Sequence, residues 1–201
     1  MSDYIKVIPA VSAPVGATLM KSGQTVSYRT GDDGDIEAGR LTSFTVLAEN
    51  NPFGNTNRFT DELGGQTYTN NIAIDWSTLS PDGINVLGYK RTLESLKTWN
   101  DAVTDALSIS IGSYTSGWRL ANMREVFNIF NFNDTLDRMT SYSPFNIATT
   151  ENIWTGNTYR MGSNAFRVDN LQCSFYPYSK TGTSAKSFVV RTFTVTGTTL
   201  T

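Results

Sequence analysis

The stretch from Ser110 to Asn131 reads SIGSYTSGWRLANMREVFNIFN, and the rest of the chain is read outward from it. Gly112 and Gly117 break local structure. After them Trp118, Leu120, Met123, Val126, Phe127 and Phe130 fall at helical spacing on one face, with Arg124, Asn128 and Asn131 elsewhere. The spacing predicts a helix that buries one stripe. Asn122 can cap it, and Glu125, three residues on, can reach back to the cap's N–H at the positive end of the helix dipole. A partner helix precedes it, with Trp99, Val103, Ala106 and Leu107 on one face, Thr98 as cap and Asp101 at the capping-box position.

Strands and loops flank this helical pair. Ile72, Ile74 and Trp76 alternate with Ala73 and Asp75 as a half-buried strand, and Val86 to Tyr89 continues after a Ser80-Pro81-Asp82-Gly83 loop. Asn51-Pro52-Phe53-Gly54-Asn55 marks a turn in a long polar loop. Ile153 and Trp154 enter the core. Strand-like segments follow at Phe166 to Val168, Leu171 to Tyr176 and Ser187 to Thr196. In the last of these Val189, Arg191, Phe193 and Val195 share a face, so Arg191 needs a carboxylate or several carbonyls, which Glu125 or Asp169 would supply. The class expected is α+β: two helices on twisted antiparallel sheet, with long loops. An extended N-terminal arm spans residues 1–20 and a single domain 21–201; Pro9 and Pro14 keep Ile5, Val7, Ile8 and Val11 out of a regular strand or helix.

Composition narrows the function classes. A net charge of -2 with 17% charged residues disfavours a nucleic-acid surface. Thr, Ser and Asn make up about a third of the chain, and aromatics 12%, the profile of a β-rich, loop-rich surface protein. There is no His, which removes imidazole bases and metal ligands, so no catalytic residue, metal or cofactor is expected. Cys173, the single cysteine, alternates with Leu171 and Phe175 and reads as a buried thiol on a strand face. Asp32, Asp33 and Asp35 around Gly34 lack the register of a calcium loop and read as a hairpin turn. No apolar run is long enough for a membrane span, and the first residues do not read as a secretion signal.

Several short motifs carry a family resemblance. Thr98-Trp99-Asn100-Asp101-Ala102, Gly112-Ser113-Tyr114, and Gly117-Trp118-Arg119-Leu120 with Glu125 resemble, in order and spacing, the Lcl C-terminal domain family. Asn152-Ile153-Trp154-Thr155-Gly156, Ala165-Phe166-Arg167-Val168 and Val190-Arg191-Thr192-Phe193 extend the likeness, which runs from about Ile72 to Thr196. Ala121 stands where the family has Pro, which removes a preset φ but leaves the cap. The resemblance implies a module similar to C-type lectins and to the formylglycine-generating fold, used for adhesion and recognition. The paired cysteines of the formylglycine-generating branch are missing. Trp99-Asn100-Asp101 also spells the calcium-and-sugar motif of true C-type lectins, but here it opens a helix and reads as a chance match.

The functional expectation is a non-catalytic recognition module, expected on a bacteriophage virion or, alternatively, extracellular or on a cell surface. Tyr159, Arg160, Asn164, Tyr176 and Tyr178 are the candidate ligand residues, placed in or beside loops, where they would bind a glycan or receptor. Trp99, Trp118, Arg119, Leu120, Glu125, Trp154 and Arg191 are assigned to the structural core. Its own subunits and other virion proteins are the expected partners. A purely structural virion subunit is the second reading. A hydrolase using Glu125 and Asp169 is the third.

Overall fold

A computed structural model describes residues 27, 30, 51–54, 57–78, 85–130, 144, 145, 147, 148, 150–160 and 162–201. The N-terminal arm, the Asp32 to Asp35 turn, the Ser80 to Gly83 loop and Asn131 lie outside the described residues.

The described chain is mixed α+β, mostly sheet with two α-helices. Its strands are β1 (Phe59–Thr60), β2 (Ile72–Asp75), β3 (Asn85–Lys90), β4 (Trp118–Leu120), β5 (Asn152–Tyr159), β6 (Asn164–Asp169), β7 (Ser174–Ser179), β8 (Lys186–Ser187), β9 (Val189–Thr196) and β10 (Thr199–Leu200). The helices are α1 (Trp99–Ser108) and α2 (Met123–Phe127). A six-stranded sheet runs β1-β2-β3-β9-β10 with β4 also on β9, and a four-stranded sheet runs β7-β6-β5-β8. All pairings are antiparallel except β5 with β8.

Strand alternation sorts both sheets between two cores. Ala73, Tyr89, Val190, Ile153 and Val168 join Val126, Ile129 and Phe130 in one core. Ile72, Ile74, Phe193, Trp154 and Ala165 join Ala102 and Ala106 of α1 in the other. Neighbouring residues on one strand point to opposite faces, so these strands are covered on both sides. The half-buried strand expected at residues 72–76 is therefore corrected: all four residues of β2 are buried, and Trp76 starts a 3₁₀ turn.

Asp75 is a buried acid, and its pairing holds the structure's edge in place. The wholly buried Arg58 grips it with Nε to Oδ1 at 2.9 Å and Nη2 to Oδ2 at 2.7 Å, and Nη2 also donates to the Asn128 carbonyl. The Ser77 N–H and hydroxyl complete the Oδ1 shell. This ties the β1 edge to the end of α2 and supplies the partner that a buried carboxylate requires.

The stretch that opened the sequence reading splits in two. Trp118, Arg119 and Leu120 form β4, in register with Arg191, Val190 and Val189 of β9, and not the first turn of a helix. Residues i and i+2 share a face of a strand but lie about 200° apart around a helix, so Trp118 and Leu120, two residues apart, fit the strand and not the helical stripe they were assigned to. The helix begins where the cap signal put it: the Asn122 side chain accepts from the Glu125 N–H, and the Glu125 carboxylate accepts from the Asn122 N–H. It ends after five residues, and Phe127 is half exposed.

Helix α1 starts at the expected Thr98 cap, whose hydroxyl accepts from the Asp101 N–H and donates to the Asp101 carboxylate. Its buried residues are Ala102 and Ala106. Trp99 and Val103 are only partly covered and Leu107 is 64% exposed, so the apolar face expected to be core is rotated towards solvent. Small residues let α1 lie close to the sheet and leave its larger side chains outside. Cys173 is corrected too: with φ 49° it sits in the turn before β7, half buried, while Leu171 is exposed.

Candidate functional site

Trp118 and Trp154 are buried, as assigned, and each indole N–H is satisfied: Trp118 donates to the Tyr114 carbonyl and Trp154 to the Lys97 carbonyl. Trp99 is half-buried, with its N–H on the Thr155 carbonyl at 2.8 Å. Arg119 forms a two-pronged pair with Glu125, at 2.7 and 2.6 Å, which raises the Arg119 pKa above its ordinary value. Glu125 therefore serves the helix cap and Arg119 together. It does not serve Arg191, whose Nε donates to the Ser116 carbonyl while its guanidinium stands over the Tyr114 and Phe193 rings. Neither expected carboxylate reaches Arg191; Asp169 instead accepts from the Gln172 N–H.

Three of the five candidate ligand residues lie in or beside one turn, and the other two lie on a strand. Tyr159 and Asn164 are the last cross-strand pair of the β5–β6 hairpin, and Arg160, at φ 52°, lies in its turn with its guanidinium over the Tyr159 ring. Tyr159 packs edge-on against Phe166. Tyr176 and Tyr178 lie on β7 opposite Arg167 and Ala165. Cross-strand partners share a face, so Tyr176 and Tyr178 lie with Ala165 and Arg167, while Asn164 and Phe166 point the other way. The candidate set is divided between two surfaces.

The Tyr176–Tyr178 surface is the better built. Tyr176 is 41% and Tyr178 39% exposed, and each is held. The Tyr176 hydroxyl donates to Gln172, and the Tyr178 ring lies 6.3 Å from that of buried Trp154. The Arg167 guanidinium stands 4.0 Å over the Tyr178 ring, and it has no carboxylate and no hydrogen-bond acceptor among the described residues. Sequence reading missed Arg167; its signal was a cation alternating with apolar residues on a central strand. The edge of β7 is blunted by its own sequence. Lys180 N–H donates to the Ser163 carbonyl, so the alternation of a antiparallel ladder turns the backbone of Pro177 outward, where a missing N–H removes a donor from the free edge. This favours the face of the sheet, not its edge, as the contact surface.

Between α1, β4 and β5 a groove of about 280 Å³ opens, lined by Trp99, Val103, Leu107, Arg119, Leu120, Asn122 and Gly156. It exists because β5 bulges: its register with β6 slips between Trp154 and Thr158. Inside the bulge the Gly156 N–H donates to the Ala121 carbonyl, and Asn157 accepts from the Met123 N–H. A Cβ on Gly156 would come within 3.3 Å of the Leu120 carbonyl oxygen, so glycine sets how closely β5 meets β4.

No group of three or more His, Cys, Asp or Glu that could hold a metal occurs among the described residues, and no described helix is long and apolar enough to cross a membrane. In comparisons with known proteins, no family model and no curated protein matches the chain.

Proposed function

We propose that the chain is a non-catalytic recognition module of C-type-lectin-like type, akin to the Lcl C-terminal domain family, carried on a bacteriophage virion surface and binding a host glycan or receptor. The observation that carries the reading is the exposed Tyr176–Tyr178 face with the unpaired Arg167 beside it. Rings fixed by a sheet lose little freedom on contact and offer both an apolar face and a hydroxyl, which suits sugars and protein epitopes alike. A non-catalytic role is supported by the occupations of Glu125 and Asp169, the pair considered for hydrolysis: one closes a helix cap and holds Arg119, the other caps a turn. The virion placement rests on composition and on the family resemblance.

Binding of the labelled protein to bacterial cells and to an oligosaccharide array tests the reading. Tyr176→Ser and Arg167→Gln are expected to abolish binding while shifting stability by no more than about 0.5 kcal/mol. Retained binding in both variants would overturn the assignment of this face. A structural virion subunit is the second reading, favoured by Leu63 and Phe127, 80% and 50% exposed, which suit contacts with other subunits or with further copies of this chain.

A further inference from the structure

The Tyr176–Tyr178 face does not stop at the end of β7. Lys180 follows Tyr178 by two residues, and its N–H continues the ladder to Ser163, so its side chain leaves the sheet on the tyrosines' side. Its ammonium stands 4.8 Å over the ring of Trp99, and its carbonyl accepts the Trp99 N–H. Trp99 in turn forms the near wall of the groove whose far residue along α1 is Leu107. Tyr176, Tyr178, Lys180 and Trp99 therefore make one strip that runs into the groove. From Tyr176 to Lys180 alone it spans about 13 Å at the ordinary rise of a strand.

We infer that this strip takes a linear oligosaccharide along its length, with several consecutive rings in contact, and does not take a single terminal sugar. The inference rests on the glycan reading proposed above and adds the shape of the ligand. Its physical basis is the spacing of the aromatic groups. A pocket for one terminal sugar would close polar groups around a single ring, whereas here Tyr176, Tyr178 and Trp99 follow one another along an open surface. The groove adds mostly apolar wall from Val103, Leu107 and Leu120 with few polar groups, from Asn122 and Arg119, which suits the apolar face of a sugar ring edged by hydroxyls.

The test measures affinity for chito-, cello- and manno-oligosaccharides at every length from monosaccharide to hexasaccharide, together with a general oligosaccharide array. Affinity is expected to climb with each added ring up to at least the tetrasaccharide. Trp99→Ala is expected to weaken the longest ligand about tenfold and leave the disaccharide unchanged. Because Trp99 also contributes to packing, Leu107→Asp provides the second variant: the site is exposed, so little loss of stability is expected, with the same selective loss of binding. A monosaccharide that binds as tightly as the hexasaccharide would overturn the inference and leave the glycan reading standing. So would a length dependence unaffected by either variant, because the ligand would then end at Tyr178. Silence across all lengths and the array overturns the glycan reading itself.

Discussion

Arg58 and Arg167 are both arginines beside aromatic rings, and the molecule uses them in opposite ways. Arg58 is 2% exposed, holds Asp75 with two nitrogens, gives a third bond to the Asn128 carbonyl and lies 4.5 Å over Phe59. Arg167 lies over Tyr178 on the four-stranded sheet and meets no carboxylate among the described residues. The first arrangement spends every interaction inside the protein, because a charge withdrawn from water has to be matched where it sits. The second stacks the guanidinium on a ring and leaves its Nε buried without a hydrogen-bond partner among the described residues. Within one fold, pairing separates the residues that hold the structure from those that are presented by it.

The three tryptophans assigned to the core give the largest test of that separation. Trp118 and Trp154 lie inside the core that α1 covers, and truncating either to Ala is expected to cost about 3 to 5 kcal/mol. Trp99 lies at the border of that core, partly open to the groove, so Trp99→Ala is expected to cost about half as much. Chemical denaturation of the three variants orders them. Equal losses at all three would place Trp99 in the core and remove it from the presented strip.

A smaller effect is expected at the buried pair. Asp75→Ala leaves the Arg58 guanidinium without its carboxylate and should cost about 3 kcal/mol, whereas Arg167→Ala should stay near zero. Replacing Arg58 and Asp75 together with apolar residues should recover much of the loss, since the penalty comes from the charge left behind. If Asp75→Ala and Arg167→Ala were equally mild, pairing would not be what divides the two regions.

The helix starts were legible because capping is local. Thr98 and Asn122 act on N–H groups three residues away, and both work as read. The readings that failed depended on a distant partner. Trp118 and Leu120 form a strand because β9 supplies a ladder for them some seventy residues later in the chain, a partner that the residues next to them do not reveal. Arg191 was read as needing a carboxylate or several carbonyls, with Glu125 or Asp169 named for it; it finds one carbonyl and the Tyr114 ring from the preceding loop, and the Phe193 ring of its own strand. The Arg58–Asp75 pair gave no sequence signal, since nothing local distinguishes those residues from exposed ones. The candidate site was half legible: the tyrosines were found by type, but strand pairing alone decides which of them share a face.

The smallest of the expected effects lies in alkaline solution, at a tyrosine that belongs wholly to the structural region. Tyr68 is 5% exposed, and its hydroxyl donates to the Phe59 carbonyl and meets Gln66. Burial is the main cause that pushes its pKa up to about 12; nearby Asp61 raises it further, while Arg91, whose guanidinium stands over the ring, and the Gln66 hydrogen bond pull it down. The folded protein thus keeps the phenolic proton where the unfolded chain, with an ordinary value near 10, has lost it. Below about pH 10 both states hold the proton and the stabilising contribution is complete. Between about pH 10 and 12 the native state binds more protons than the unfolded one, so stability falls as pH rises, by about 2 kcal/mol from this residue. Denaturation midpoints followed from neutral to alkaline pH should therefore fall less steeply in Tyr68→Phe than in the wild type. Parallel curves for Tyr68→Phe and wild type would show that the phenol ionises freely in the folded protein, and that the loop carrying it opens before the rest of the structured region does.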